Sequence, residues 1–161
     1  MPEIIDIVNE NDEVIGQRER GEAHANNLLH RAAHVFVFNS KGELLLQKRS
    51  MEKKQYAGFW GDIAGHIDAG ESYERAAARE LKEEAGIKGR LEFLMKFRKH
   101  YDKDQEIIAV YKCMHGGPFK PDPEEIEFVR FFPLKEVKKM LARGESFTPG
   151  AKIALEKYLK G

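Results

Sequence analysis

Between residues 65 and 87 the chain reads Gly-His-Ile-Asp-Ala-Gly-Glu-Ser-Tyr-Glu-Arg-Ala-Ala-Ala-Arg-Glu-Leu-Lys-Glu-Glu-Ala-Gly-Ile. A loop bounded by Gly65 and Gly70 runs into a helix expected over 72–85, with Ser72 as its N-cap and Gly86 as its stop. Glu80, Glu83 and Glu84 stand at i, i+3 and i+4, within an arc of roughly 100° on one helix face. Like charges at that spacing repel, so a solvated helix gains nothing from them. A divalent cation converts the repulsion into coordination. The acidic arc holds little bulk besides Tyr73, whereas Leu81, Ala78 and Ala85 form an apolar flank. Magnesium suits such a face, because it takes oxygen ligands and bridges to phosphates. Glu71 is placed to pair with Arg79 across the junction of loop and helix, holding one against the other.

The remainder must build a scaffold around that helix. With 161 residues the chain is expected to form one domain over 1–161. Residues 4–18 read as an N-terminal hairpin around Asn9–Asp12, whose side chains favour turns. Val35–Phe38 and Leu44–Gln47 read as a second hairpin, and their near-continuous apolar runs suggest a sheet covered on both faces. A loop from about 50 to 61 leads into a short strand at 62–64. Further strands are expected near 91–100 and 106–114, joined by a turn at 101–104, and at 127–132. Helices are expected to open at Pro133 and at Thr148-Pro149-Gly150. Strands interspersed with helices give an α/β fold, an α/β/α sandwich around a mixed sheet.

Charge and composition narrow the partners. Lys and Arg number 27, as do Asp and Glu, and no basic stripe points to a nucleic-acid polymer. No apolar run approaches a membrane span. The acidic N-terminus lacks a signal core, and the single cysteine, Cys113, excludes an internal disulfide, so a cytoplasmic protein is the expectation.

The spacing Gly65, Glu71, Arg79-Glu80, Leu81, Glu83-Glu84, Gly86, Ile87 resembles the Nudix box at every specified position. The resemblance implies a Nudix-type sandwich and hydrolysis of a diphosphate linkage in a nucleoside diphosphate-type small molecule, using Mg2+ or Mn2+. It implies that Glu80, Glu83 and Glu84 bind metal, that one of them also serves as base, and that the carbonyl of Ala64 completes the metal's ligands. A further carboxylate from a loop past the sheet is implied at Glu125, with Glu124 and Glu127 as competitors. A silent binding module is disfavoured by the intact carboxylates.

A second resemblance is to isopentenyl-diphosphate isomerases, which share the fold. Residues 47–60 look like their diphosphate-binding loop, which makes Arg49 and Lys53 candidate substrate contacts: Arg offers a fork to phosphate and Lys a point charge. His24, His30 and His66 are similar to the isomerase metal histidines, although the first interval is one residue shorter. For His34, His100 and His115 a structural role is expected. Tyr56, Phe59 and Trp60 are candidates to stack on a base or line an apolar pocket, with Trp60 taken as substrate-binding. Isomerases place an acid–base cysteine where this chain has Ala64, which transfers no proton, so hydrolysis is favoured. Cys113 is expected to pack as a small hydrophobe. Substrate identity and a possible homodimer through the N-terminal hairpin stay open.

Overall fold

One strand organises the fold. In the computed structural model, which describes residues 3–101 and 104–160, β3 (His30–Phe38) is buried along nearly its whole length. Alternation divides its side chains. Ala32, Phe36 and Phe38 enter one apolar cluster, and Ala33, Val35 and Val37 enter another on the opposite face. A strand covered on both faces has no solvent side, which is why its second half, Val35–Phe38, reads as an apolar run.

β3 is fully partnered. Along one edge it pairs in parallel with β8 (Asp104–Met114), from His30 opposite Glu106 to Phe38 opposite Met114. The other edge is shared in turn by β1 (Ile4–Val8), by β6 (Ile63–His66) and, at the single pair Phe38–Leu44, by β4 (Leu44–Arg49). The hairpin expected from 35–38 and 44–47 is therefore a splayed one. β4 leaves β3 after one pair to join β9 (Ile126–Phe132) and the short β5 (Trp60–Gly61). β7 (Glu92–Tyr101) closes antiparallel onto β8. The turn expected at 101–104 lies partly outside the described residues.

Helices cover both faces. α2 (Tyr73–Glu80) lays Ala76 and Ala77 against Val35, Val37 and Ile63. α3 (Leu134–Ala142) and α4 (Pro149–Lys160) lay Val137, Met140, Ala154 and Leu155 against Phe36, Ile108 and Phe132. The result is an α/β/α sandwich around a mixed sheet. The regular helix expected to residue 85 gives way to a π-helical turn at Leu81–Ala85, closed by Gly86 at φ 71°. Such turns cluster at functional sites because they re-aim the side chains they carry. This one buries Leu81 and Ala85 while separating Glu83 from Glu84.

The N-terminal hairpin, β1 with β2 (Val14–Glu19), is followed by a short helix, α1 (Arg20–Ala25), which the polar sequence there did not announce. Asp12 in the hairpin turn fastens it to the body: it accepts from Arg31 Nε at 2.7 Å, Lys96 Nζ at 2.9 Å and the Tyr73 hydroxyl at 2.9 Å. Asp12→Ala leaves these donors without an acceptor and is expected to lower stability by about 2 kcal/mol. Urea unfolding checks this, and Asp12→Asn should recover part of the loss.

Candidate active site

A cavity of about 770 Å³ opens between the box helix, the edge of the sheet and the N-terminus of α4. On one wall, Glu80 and Glu84 face each other within hydrogen-bonding reach. Burial pushes both carboxyls above the ordinary range, Glu84 furthest; Glu80 raises Glu84 further through hydrogen bond and charge, whereas the hydrogen bond from Glu84 and the Arg79 guanidinium pull Glu80 back down. Glu83 differs: its side chain is 58% exposed at the rim and lies 3.3 Å from Arg79 Nη1. The three glutamates line one cavity but do not share one environment, because the π-turn rotates them apart. Gln47, the lone polar residue ending the run Leu44-Leu45-Leu46, donates to Glu84 Oε1 at 2.9 Å and to the Asp62 carbonyl.

Arg79 ties the loop to the helix. Its Nε and Nη2 each lie 2.9 Å from a Glu71 oxygen, Nη2 also donates to the His66 carbonyl at 3.0 Å, and Nη1 donates to Glu80 Oε1 at 2.7 Å. Arg79 is held charged, chiefly by Glu71, and the Glu71 carboxyl is held below its usual range in return. Gly65 is required by this packing. A Cβ on it would occupy the position of the Glu80 carboxyl group. Gly65→Ala must displace Glu80, and the metal concentration giving half-maximal activity is expected to rise roughly tenfold. Titrating activity against Mg2+ checks this.

At the mouth, Arg49 and Lys53 line the cavity. Arg49 spends its donors on its own loop, Nη2 to the Gln55 carbonyl at 3.0 Å and Nε to the Tyr56 carbonyl at 3.2 Å. Lys53 is ion-paired with Glu125, whose backbone carbonyl accepts from Ser50. Glu125 lines the cavity with Asp122, whereas Glu124 and Glu127 lie outside it. Ala64 lies on the wall, opposite His34 in the β3–β6 register. Trp60 does not reach the cavity. It is 8% exposed and edge-on to Phe128 and Phe132 at 5.8 and 5.3 Å, with the Lys48 ammonium 4.6 Å over its ring. Its indole packs in the core, so it offers no face to a substrate. Phe59 stacks beside Tyr56 at 5.3 Å, and of the two only Tyr56 lines the cavity.

A second polar cluster contributes His24, His66, Lys99, Asp104 and Glu106 to the same cavity. His24 from α1, His30 from β3 and His66 from β6 bring their rings within 5.4–6.1 Å of one another. Asp104 and Glu106 from β8 join them, and Lys99 from β7 backs both carboxylates.

The chain matches the NUDIX domain family over residues 28–150, more than half its length. It belongs to the Nudix family. An uncharacterised Nudix hydrolase of Streptomyces coelicolor is 39% identical over 153 residues, spanning 91% of this chain and 83% of its own. The protein named isopentenyl-diphosphate Delta-isomerase 2 of Photorhabdus laumondii is 42% identical over 125 residues, 76% of this chain and 71% of its own. A crystal structure from Deinococcus radiodurans shares the fold with TM-score 0.83 at 24% identity, over 96% of this chain and 98% of that one. As a Nudix hydrolase the chain acts on diphosphate-containing compounds, and the family uses divalent cations. No helix among the described residues is long and apolar enough to cross a membrane.

The residues of this Nudix site fit such cations. The carboxylates of the box helix are an oxygen-only set, and a cation would relieve the desolvation that raises Glu80 and Glu84. In the second cluster His30 Nε2, His66 Nε2 and Asp104 Oδ1 are buried without hydrogen-bond partners. Uncompensated buried polar atoms converging from three strands are costly unless something binds them. Sequence reading missed Lys99, Asp104, Glu106, Gln47 and Asp62. The alternation Asp104-x-Glu106 places two carboxylates on one strand face, a signal that could have found them. The buried pair His34–Asp62, 2.7 Å apart, left no pattern in the chain.

Proposed function

We propose that the chain is a metal-dependent hydrolase cleaving the diphosphate linkage of a nucleoside diphosphate-type small molecule, with Mg2+ or Mn2+ at Glu80, Glu83, Glu84 and the Ala64 carbonyl. One observation carries the reading: two half-buried carboxylates, Glu80 and Glu84, are held face to face in an open cavity, and desolvation there disfavours the charge on both. A divalent cation held there would supply positive charge and polarise a phosphoryl oxygen. The protein supplies the rest. Arg79, braced by Glu71, keeps Glu80 aimed into the cavity. Arg49 and Lys53 exchange their present partners for phosphate oxygens, the first as a fork and the second as a point charge. When Lys53 turns to phosphate, Glu125 is released to act as base or additional ligand. The lone reduced cysteine suits a cytoplasmic setting.

The histidine–carboxylate cluster and the isomerase-named relative favour a second reading, isomerisation of an alkenyl diphosphate. Against it, Ala64 stands at the acid–base position, and Cys113 is 1% exposed in the apolar layer beneath α2. A panel of diphosphate compounds with Mg2+ and Mn2+, including isopentenyl diphosphate, separates the two. Release of phosphate or a monophosphate product is expected; allylic product from isopentenyl diphosphate would overturn the hydrolase reading.

A further inference from the structure

Lys99 stands between the histidine cluster and the interior. It is the register partner of Glu106 across β7 and β8 and is 3% exposed. Its ammonium lies 2.6 Å from Asp104 Oδ2 and 2.8 Å from Glu106 Oε1. The same two carboxylates turn their other oxygens to the imidazoles. Asp104 Oδ1 is 3.5 Å from His24 Nε2 and 3.8 Å from His30 Nε2, and Glu106 Oε2 is 3.6 Å from His30 Nε2 and 3.9 Å from His66 Nε2. These distances exceed hydrogen bonds. Each carboxylate is thus divided, one oxygen on the ammonium and one facing the histidines.

The His30 ring is turned so that one nitrogen faces the cluster. His30 Nδ1 is 2.9 Å from the Leu28 carbonyl and donates to it, which leaves Nε2 toward the cluster. A set of imidazole nitrogens and carboxylate oxygens of this kind suits a borderline transition-metal ion better than magnesium.

We propose that Lys99 is an internal counter-ion that balances the charge of Asp104 and Glu106 and holds them turned toward the histidines when the cluster holds no metal, and that weakens and makes exchangeable the binding of a divalent cation there. The inference rests on reading the cluster as metal-binding, and it concerns how tightly it binds. Two buried carboxylates with no cation repel each other and cost stability; with Lys99 they are paired in place. The same fixed positive charge opposes an incoming dication across one carboxylate's width, in surroundings that screen poorly. Lys99 therefore trades affinity for a cluster that stays assembled when empty. A lysine buried at the back of a metal-type donor set has no such effect if it only fills space.

The test uses the full chain carrying Glu80→Gln and Glu84→Gln, so that the box helix does not compete for metal. Cobalt(II) is titrated and read by its visible absorption, with zinc(II) as competitor. Lys99→Gln keeps hydrogen-bond donors without the charge, Lys99→Met removes both, and Lys99→Arg keeps the charge. Binding at least tenfold tighter than the parent is expected for Lys99→Gln, and no tightening for Lys99→Arg. Without metal, Lys99→Met should melt at lower temperature than the parent and recover on adding zinc. If Lys99→Met fails to fold without metal, the titration of Lys99→Gln decides. Cobalt bound by the parent and no more tightly by Lys99→Gln would overturn the role of Lys99 while leaving the cluster a metal site. No cobalt absorption in the parent or in Lys99→Gln would overturn both.

Discussion

Glu84→Gln should lower kcat by roughly 10²–10³-fold, with the fold intact, because it removes an anionic ligand proposed to hold the cation that would polarise the phosphoryl oxygen. Glutamine keeps the size of the side chain and can still meet Gln47. Stability should move the other way. The Glu84 carboxyl is raised above its ordinary value, chiefly by burial and then by Glu80, so the folded state prefers it protonated. A raised group contributes stability that is complete below its unfolded value near 4.5 and is lost as pH climbs through the folded one. Metal-free wild type should therefore lose stability relative to Glu84→Gln as pH rises from 5 to 8. Mg2+ should restore wild type at pH 8 and do far less for the variant. Thermal melts at the two pH values, with and without Mg2+, check both signs. Equal melting behaviour of the two proteins at pH 8 would contradict the reading of Glu84 as a strained, buried acid.

Arg79→Ala is expected to damage activity and fold together. The guanidinium serves Glu71 through two nitrogens, Glu80 through a third contact and the His66 carbonyl as well. Its removal leaves Glu71 and Glu80 as partly buried carboxylates without a cation, at an expected cost of about 2–3 kcal/mol. Glu80 then loses its aim, and a drop of about 10²-fold in kcat should follow from misplacement alone. Lysine should rescue little, since one ammonium cannot fork Glu71 and also reach the His66 carbonyl. Urea unfolding and steady-state rates on the same preparations separate the two effects. Retention of wild-type kcat by Arg79→Ala would show that Glu80 is positioned by other contacts.

What the chain disclosed in advance followed physical rules of short range. The helix stop at Gly86, the cap at Ser72 and the apolar β3 were legible because local conformation and burial write themselves into neighbouring residues. The π-turn was not, because Leu81 and Ala85 satisfy an α pattern as well as a π pattern; only packing against the sheet selects the wider turn. Trp60 misled for a related reason. An aromatic in a loop before an active-site motif reads as a ligand platform until the strand opposite is seen to supply Phe128 and Phe132. The histidine cluster depends on β3 lying beside β8, a pairing that no local signal records. His24, His30 and His66 were therefore grouped only through the isomerase resemblance, whereas Asp104, Glu106 and Lys99 were assigned to no site.

The parallel pairing of β3 with β8 also bears on the order of assembly. It joins segments far apart in the chain, and loop closure of that length is slow because entropy is spent before contacts repay it. Until it forms, His30 has no Glu106 beside it and the cavity has no back wall. On this order of assembly a metal ion bound as proposed would meet a finished scaffold, and its effect should appear in the unfolding rate and not in the refolding rate.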